Sequence, residues 1–159
     1  MQEKSFRIGV IGLGIIGSAI SKHLLNSNHQ VIGFDIDRDK VIKSNGNSMV
    51  IVKSLEALFK DCEIIISCLP NEQSLNDTID QLITLNDSMV NTFIEMSTLS
   101  IECKLNNKSK LESKNIHLMD CPISGTGQQA SEADIVIYAS GDEETFEEVK
   151  LVFKPFSNH

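Results

Sequence analysis

One hexamer limits what this chain can fold into more than any other feature. Gly12-Leu13-Gly14-Ile15-Ile16-Gly17 follows directly on the apolar run Phe6 to Ile11. It opens a segment, Ile15 to Asn26, in which Ile16, Ala19, Ile20 and Leu24 recur at helical spacing. G-x-G-x-x-G is informative in this strand-loop-helix context, because each glycine then has a task. Gly12 permits a tight turn, Gly14 lets a pyrophosphate approach the backbone, and Gly17 lets the helix pack closely on the strand. The phosphates would rest on the free N–H groups and positive dipole of the helix start. Gly12, Leu13, Gly14, Ile15, Ile16 and Gly17 are therefore candidate dinucleotide-binding positions. The competing reading is a plain βαβ unit whose glycines serve packing alone.

Asp35 speaks against that competitor. It closes the next strand, Gln30 to Asp35, at about the twenty-residue spacing where a carboxylate meets the ribose hydroxyls. A carboxylate there also repels a 2′-phosphate, which favours NAD and makes NADP the lesser candidate. Arg38 lies close in sequence and is able to counter that repulsion.

The rest of the chain alternates strand and helix. Arg38 to Ser44 reads as a short helix, Met49 to Val52 as a strand and Leu55 to Lys60 as a helix. Glu63 to Cys68, with Ile64-Ile65-Ile66, is apolar on both faces, as a covered parallel strand must be. Gln73 to Leu85 and Ile101 to Glu112 read as helices, and Asn91 to Met96, Ile116 to Asp120 and Asp134 to Ala139 as strands. Asp142 to Phe153 is a last helix with Glu143 and Glu144 in its dipole-favoured first turn. This pattern predicts an α/β fold with a doubly wound, mostly parallel sheet of Rossmann type, one dinucleotide-binding domain over residues 1–159. The final residues, Pro155 to His159, form no finishing element.

The formal charge of -8, from 22 acidic and 14 basic residues, repels phosphate backbones and anionic membranes, so no nucleic-acid or membrane partner is expected. A single anionic cofactor is still admissible, since backbone N–H groups act locally. Cys62, Cys68, Cys103 and Cys121 lack CxxC spacing and read as reduced, mostly buried residues, with no metal site. Met1-Gln2-Glu3-Lys4 leads into a strand-like run with no apolar signal segment, and no stretch approaches the roughly 18 apolar residues of a membrane helix. The expected location is the cytoplasm.

Three later segments add to the glycine loop. They are Ile66-Ser67-Cys68-Leu69-Pro70, Glu95-Met96-Ser97-Thr98-Leu99-Ser100 and Asp120-Cys121-Pro122-Ile123-Ser124-Gly125-Thr126-Gly127. In this order the chain resembles the β-hydroxyacid dehydrogenase family, which includes 3-hydroxyisobutyrate and 6-phosphogluconate dehydrogenases. The likeness spans essentially the whole chain, as that family's N-terminal cofactor domain. It implies that Leu69 and Pro70, with Ser74 beyond them, lie beside the nicotinamide half of the cofactor, and that Thr98 contacts it. It implies a substrate role for Ser97, Ser124, Gly125 and Thr126, the last three forming a loop for a substrate carboxylate. For the serines and threonines, ordinary capping and turn formation is the competing reading.

There are departures. Thr126 stands where many members have a second glycine, Ile16 where methionine is common, and Ile36 where NADP-using members often carry arginine. The resemblance also implies a catalytic lysine on a later helix and an all-helical C-terminal domain that builds a dimer. Both are expected to be absent from this chain, which ends at His159, so no residue in it is a catalytic candidate. Lys150 and Lys154 are read as solvated, Lys150 pairing with Glu147, and His23, His29, His117 and His159 as structural.

The leading expectation is thus the NAD-binding domain of an oxidoreductase that passes a hydride between a nicotinamide cofactor and a small β-hydroxy acid, inactive alone. The alternative is a free-standing, non-catalytic NAD-binding or sensing module. Imine and pyrroline-carboxylate reductases share the first strand, loop and helix, but the Asp120 to Gly127 run fits the hydroxyacid family better.

Overall fold

The computed structural model describes residues 4–44 and 49–157. Met1 to Glu3 at the start and Asn158-His159 at the end, including the histidine expected to be structural, lie outside them. In chain order the elements are β1 (Arg7–Ile11), α1 (Ile15–Asn26), β2 (Gln30–Phe34), α2 (Arg38–Ser44), β3 (Val50–Ile51), α3 (Leu55–Asp61) and β4 (Ile64–Ser67). Then follow α4 (Glu72–Thr84), β5 (Thr92–Glu95), α5 (Ile101–Glu112), β6 (His117–Asp120), β7 (Ile123–Ser124), α6 (Gly127–Ser131), β8 (Val136–Ile137) and α7 (Glu143–Phe153).

Six strands pair in the order β3-β2-β1-β4-β5-β6, every pair parallel. The chain builds outward from β1 to β3, then crosses back to place β4 on the other side of β1. The β1/β4 boundary is therefore the point where strand order reverses and a crevice opens at the carboxyl ends.

Alternation along the strands explains the two cores. Ile64 and Ile66 join a cluster with Ile20 and Leu24 of α1 and Val149 and Val152 of α7. Ile65 turns to the opposite face, with Leu58 and Phe59 of α3 and Leu75 and Ile79 of α4. Ile65 and Ile66 are fully buried and Ile64 nearly so, each contributing about 2 kcal/mol of apolar burial. A strand apolar on both faces is stable only in a sheet covered on both sides, which is what the helices provide.

The one departure in the fold lies after β6. The strand expected over Asp134 to Ala139 is reduced to Val136–Ile137, and it pairs antiparallel with Ile123–Ser124 in a separate two-stranded sheet. The local chain explains why. Asp134 N–H donates to Gln129 O and Ala133 takes φ 59°, so the turn out of α6 delays the strand. Beyond it, Tyr138 N–H donates to Pro122 O and Ser140 forms an isolated antiparallel bridge with Asp120. The intervening helix α6 was not foreseen, although Thr126 and Gln129 form a capping box whose T-x-x-Q signature is visible in the sequence. No described helix is long and apolar enough to cross a membrane.

Candidate functional site

A cleft of about 730 Å³ opens at the carboxyl edge of the sheet. The glycine loop forms one wall. Gly12 has φ 91°, and a Cβ on it would meet Cys68 O at 2.2 Å. A Cβ on Gly17 would lie 1.8 Å from Gly12 O, so helix and turn touch backbone to backbone. Gly14 differs, since a Cβ there would meet nothing within 4 Å. Gly12 and Gly17 are thus required by the protein's own packing, whereas Gly14 faces open space in the cleft.

The helix behind that space has an unfinished end. Side-chain N-caps close α3 (Ser54), α4 (Asn71), α5 (Ser100), α6 (Thr126) and α7 (Asp142). At α1 the N-cap is Gly14, with no side-chain cap hydrogen bond. The first N–H groups of an α-helix have no partner inside it. Those of α1 point toward the cleft from a positive helix end, an arrangement suited to an anion.

Asp35 closes the same wall. Its Oδ2 accepts from Leu13 N–H at 2.7 Å and its Oδ1 from Asp37 N–H at 2.8 Å. The carboxylate therefore ties the glycine loop to the end of β2 and retains lone pairs for further donors. Leu13 reaches Asp35 through that N–H, and its carbonyl accepts from Ser18 Oγ at 2.8 Å; its side chain is buried in the core and does not line the cleft. Lys40, not Arg38, is the basic residue placed at Asp35, 3.8 Å from Oδ2. Ile36, with 89% of its surface exposed, also lines this end.

The opposite wall comes from the loops after β4 and β5. Leu69, Pro70 and Ser74 join Ser97 and Thr98 in the cleft lining, and Leu69 N–H donates to Ser97 Oγ at 2.9 Å. Ser74 donates its N–H and hydroxyl to Asn71 Oδ1 at 2.9 and 3.0 Å, so it takes part in capping α4 as well. Cys68 also lines this wall. Burial, assisted by the charge of Glu95, pushes its thiol up to about 12, so it stays protonated at neutral pH and is no nucleophile.

The structure thus brings together Gly12, Gly14, Ile15, Ile16, Gly17, Asp35, Leu69, Pro70, Ser74, Ser97 and Thr98 around one crevice. It leaves Ser124, Gly125 and Thr126 outside. They are exposed, beyond Ile123, and only Ile123 of that segment reaches the lining. Thr126 caps α6, its Oγ1 accepting from Gln129 N–H at 3.3 Å. Of the other charged and imidazole groups, Lys150 pairs with Glu147. His23 meets Ala130 O at 3.0 Å, and His29 Nδ1 accepts from Phe6 N–H at 3.2 Å.

Sequence reasoning missed a buried ionic cluster beneath Ser97. Lys104 on α5 donates to Ser97 O at 2.7 Å, lies 3.0 Å from Glu95 Oε2 and pairs with Asp120. Glu95 is fully buried, and its Oε1 accepts from Ser97 N–H at 2.8 Å. Burial alone would lower the Lys104 pKa, but hydrogen bonds to Asp120 and Glu95 outweigh it and hold the ammonium above the ordinary lysine value. The available signal was Glu95 itself, a carboxylate directly after the apolar pair Phe93-Ile94 in a strand flanked by others in a covered sheet, since such a group needs a counter-charge.

The model of the NAD binding domain of 6-phosphogluconate dehydrogenase matches residues 7–159. The mitochondrial 3-hydroxyisobutyrate dehydrogenase of Drosophila melanogaster is 24% identical over 147 residues, covering 92% of this chain and 45% of that protein. The cytokine-like nuclear factor N-PAC of the same fly is 25% identical over 160 residues, covering 99% of this chain and 26% of that protein. The chain thus spans half or less of these relatives. Among solved structures, Mycobacterium tuberculosis 3-hydroxyisobutyrate dehydrogenase with L-serine superposes with a TM-score of 0.92 at 22% identity, over 97% of this chain and 53% of that one. Psf3 in complex with NADP+ and 2-OPP gives 0.83 at 20%, over 94% and 54%. A Myxococcus stipitatus imine reductase variant in complex with NAD+ gives 0.83 at 18%, over 97% and 53%. Both forms of the nicotinamide cofactor therefore occur on this fold.

Proposed function

The chain belongs to the family of the NAD binding domain of 6-phosphogluconate dehydrogenase, and from that premise we propose that residues 1–159 bind NAD as the cofactor domain of a β-hydroxyacid dehydrogenase. The observation that carries this reading is the pairing of Gly14, whose side-chain space is empty, with an α1 N-terminus that lacks a side-chain cap. That pair fits a pyrophosphate, because N–H donors and dipole are both directed at a space the protein does not fill. Asp35 would receive the ribose hydroxyls of the adenosine half. Leu69, Pro70, Ser74 and Thr98 would flank the nicotinamide half.

When bound, the nicotinamide supplies the hydride acceptor or donor. The residues of this chain bind and orient. Ser97, Ser124, Gly125 and Thr126 are the proposed substrate contacts, the last three reaching a small hydroxy acid only in company with a second domain. In the parent enzyme an all-helical domain would supply a lysine as general acid/base, complete the pocket and build a homo-oligomer. On this reading the chain alone turns over no substrate. Four free cysteines suit a reducing compartment such as the cytoplasm.

NAD is preferred over NADP because Asp35 places a carboxylate where a 2′-phosphate would sit, and Ile36 offers no counter-charge. Lys40 works against this preference from 3.8 Å. A second reading, a non-catalytic NAD-binding or sensing module, is favoured by one observation. Lys104 is the lysine at the Ser97 end, and its ammonium is already committed to Ser97, Glu95 and Asp120.

The test is titration of the chain with NADH and NADPH, followed by fluorescence or calorimetry. Saturable NADH binding with NADPH at least about tenfold weaker, a difference of about 1.4 kcal/mol, is expected. Asp35→Asn should narrow that gap by removing the repelling charge. Equal affinities in the unmodified chain would overturn the NAD preference, and binding of neither nucleotide would overturn the cofactor reading.

A further inference from the structure

The glycine loop accounts for one end of the cleft. The other end is made of two loops, after β4 and β5, joined through the Leu69 N–H to Ser97 Oγ bond of 2.9 Å. Beside it, Met96 N–H donates to Ser67 O at 3.0 Å and Ser100 N–H to Glu72 Oε1 at 3.2 Å, but neither of these bonds reaches Ser97 itself. What holds that residue lies underneath. Ser97 is gripped through its own backbone on both sides, since its N–H donates to Glu95 Oε1 at 2.8 Å and its carbonyl accepts from Lys104 Nζ at 2.7 Å. Its hydroxyl is thereby fixed as the acceptor for Leu69.

An ammonium has three donors and no acceptor. At Lys104 they go to Ser97 O and Asp120 Oδ1, with Glu95 Oε2 3.0 Å away as an ion-pair partner, and these groups come from the carboxyl ends of β5 and β6. Ser97 passes the constraint on to the loop after β4. One buried side chain thus joins the ends of three adjacent strands at the edge where the cleft opens. Lys104 does not itself line the cleft, and its ammonium is held by Ser97, Glu95 and Asp120 instead of facing a ligand.

We infer that Lys104 is a positioning residue, which by fixing Ser97 sets the geometry of the nicotinamide end of the cleft independently of the glycine loop. The inference rests on the reading that this cleft holds a nicotinamide dinucleotide. It differs from a general stabilising role in what it predicts for ligands of different length. ADP engages only the Gly14 and Asp35 end, whereas NADH spans both.

The experiment measures the affinity of the 159-residue chain and its variants for NADH and ADP by calorimetry, with NADH fluorescence reporting the ring's surroundings. Lys104→Met should weaken NADH about tenfold or more and reduce its fluorescence enhancement, while ADP changes less than about twofold. Lys104→Arg should restore most of the NADH affinity. Because Lys104→Met leaves Glu95 buried without a counter-charge, the double variant Glu95→Gln/Lys104→Met, which removes both charges, is measured beside it and should show the same split. Equal weakening of both ligands, or no change in either, would overturn the inference. So would an unmodified chain that binds NADH no better than ADP. An unmodified chain that binds neither would overturn the cofactor reading and this inference with it.

Discussion

The two ends of the cleft are built from different materials. At the glycine loop the working surface is backbone: a turn at Gly12, a close contact at Gly17, an open helix start at Gly14. At Ser97 the surface is held by side chains from α5, β5 and β6, brought together only by the fold. Backbone construction is local and needs particular residue types at fixed intervals. Side-chain construction needs only that charge and counter-charge meet, at whatever distance in sequence. The first kind should fail abruptly when one atom is added, and the second by degrees.

The sharpest break falls on Gly17. Gly17→Val would place a Cβ within 1.8 Å of Gly12 O, where no flexible side chain can yield. It should cost more than about 4 kcal/mol and prevent stable folding, to be checked by circular dichroism and thermal melting. A native melting transition would show that the loop can shift after all.

Three residues away the outcome should be the reverse. Gly14 has φ -69° and ψ -165°, which valine tolerates, and its Cβ direction is free. Gly14→Val should therefore melt within about 1 kcal/mol of the unmodified chain. It should also bind NADH about a hundredfold more weakly, a loss of about 2.7 kcal/mol. Retention of NADH binding would move the phosphates away from this loop.

The smallest expected effect is at the Ser97 end. Glu72, at the start of α4, accepts from Ser100 N–H at 3.2 Å, and its hydrogen bonds with Ser100 hold its carboxyl below the ordinary carboxylate range. A depressed carboxyl contributes stability above its unfolded value and loses it as pH falls through the folded one. The melting difference between the chain and Glu72→Ala should thus be present at neutral pH and close below about pH 4. A difference that persists in acid would mean that Glu72 acts by packing instead of by charge.

This contrast also explains what could be read from the sequence. Gly12, Gly14, Gly17 and Asp35 are legible because turn, close contact and helix start demand them within one βαβ unit. The order of elements is legible because Ile64-Ile65-Ile66 admits only a covered strand. Lys104 is not legible. On a polar helix it looks like any solvated lysine, and its burial follows from α5 packing where Glu95 and Asp120 happen to end. Val136–Ile137 misled for a related reason. A short apolar run says "strand" without saying which sheet, and the Ala133 turn out of α6 decided for pairing with Ile123–Ser124. Lys40 outranks Arg38 at Asp35 because a helical turn, not sequence proximity, sets which side chain faces back.

The open start of α1 has a consequence for the life of the molecule as well as for its chemistry. A helix end left without its last hydrogen-bond partners is an incomplete piece of folded structure, and any anion that settles there completes it. Such a ligand stabilises the native chain by mass action, by about 2.7 kcal/mol at a hundredfold excess over its dissociation constant. In a cell the empty molecules would then open more often and be degraded first. If the anion is the proposed nucleotide, the abundance of the protein would come to follow that nucleotide's supply.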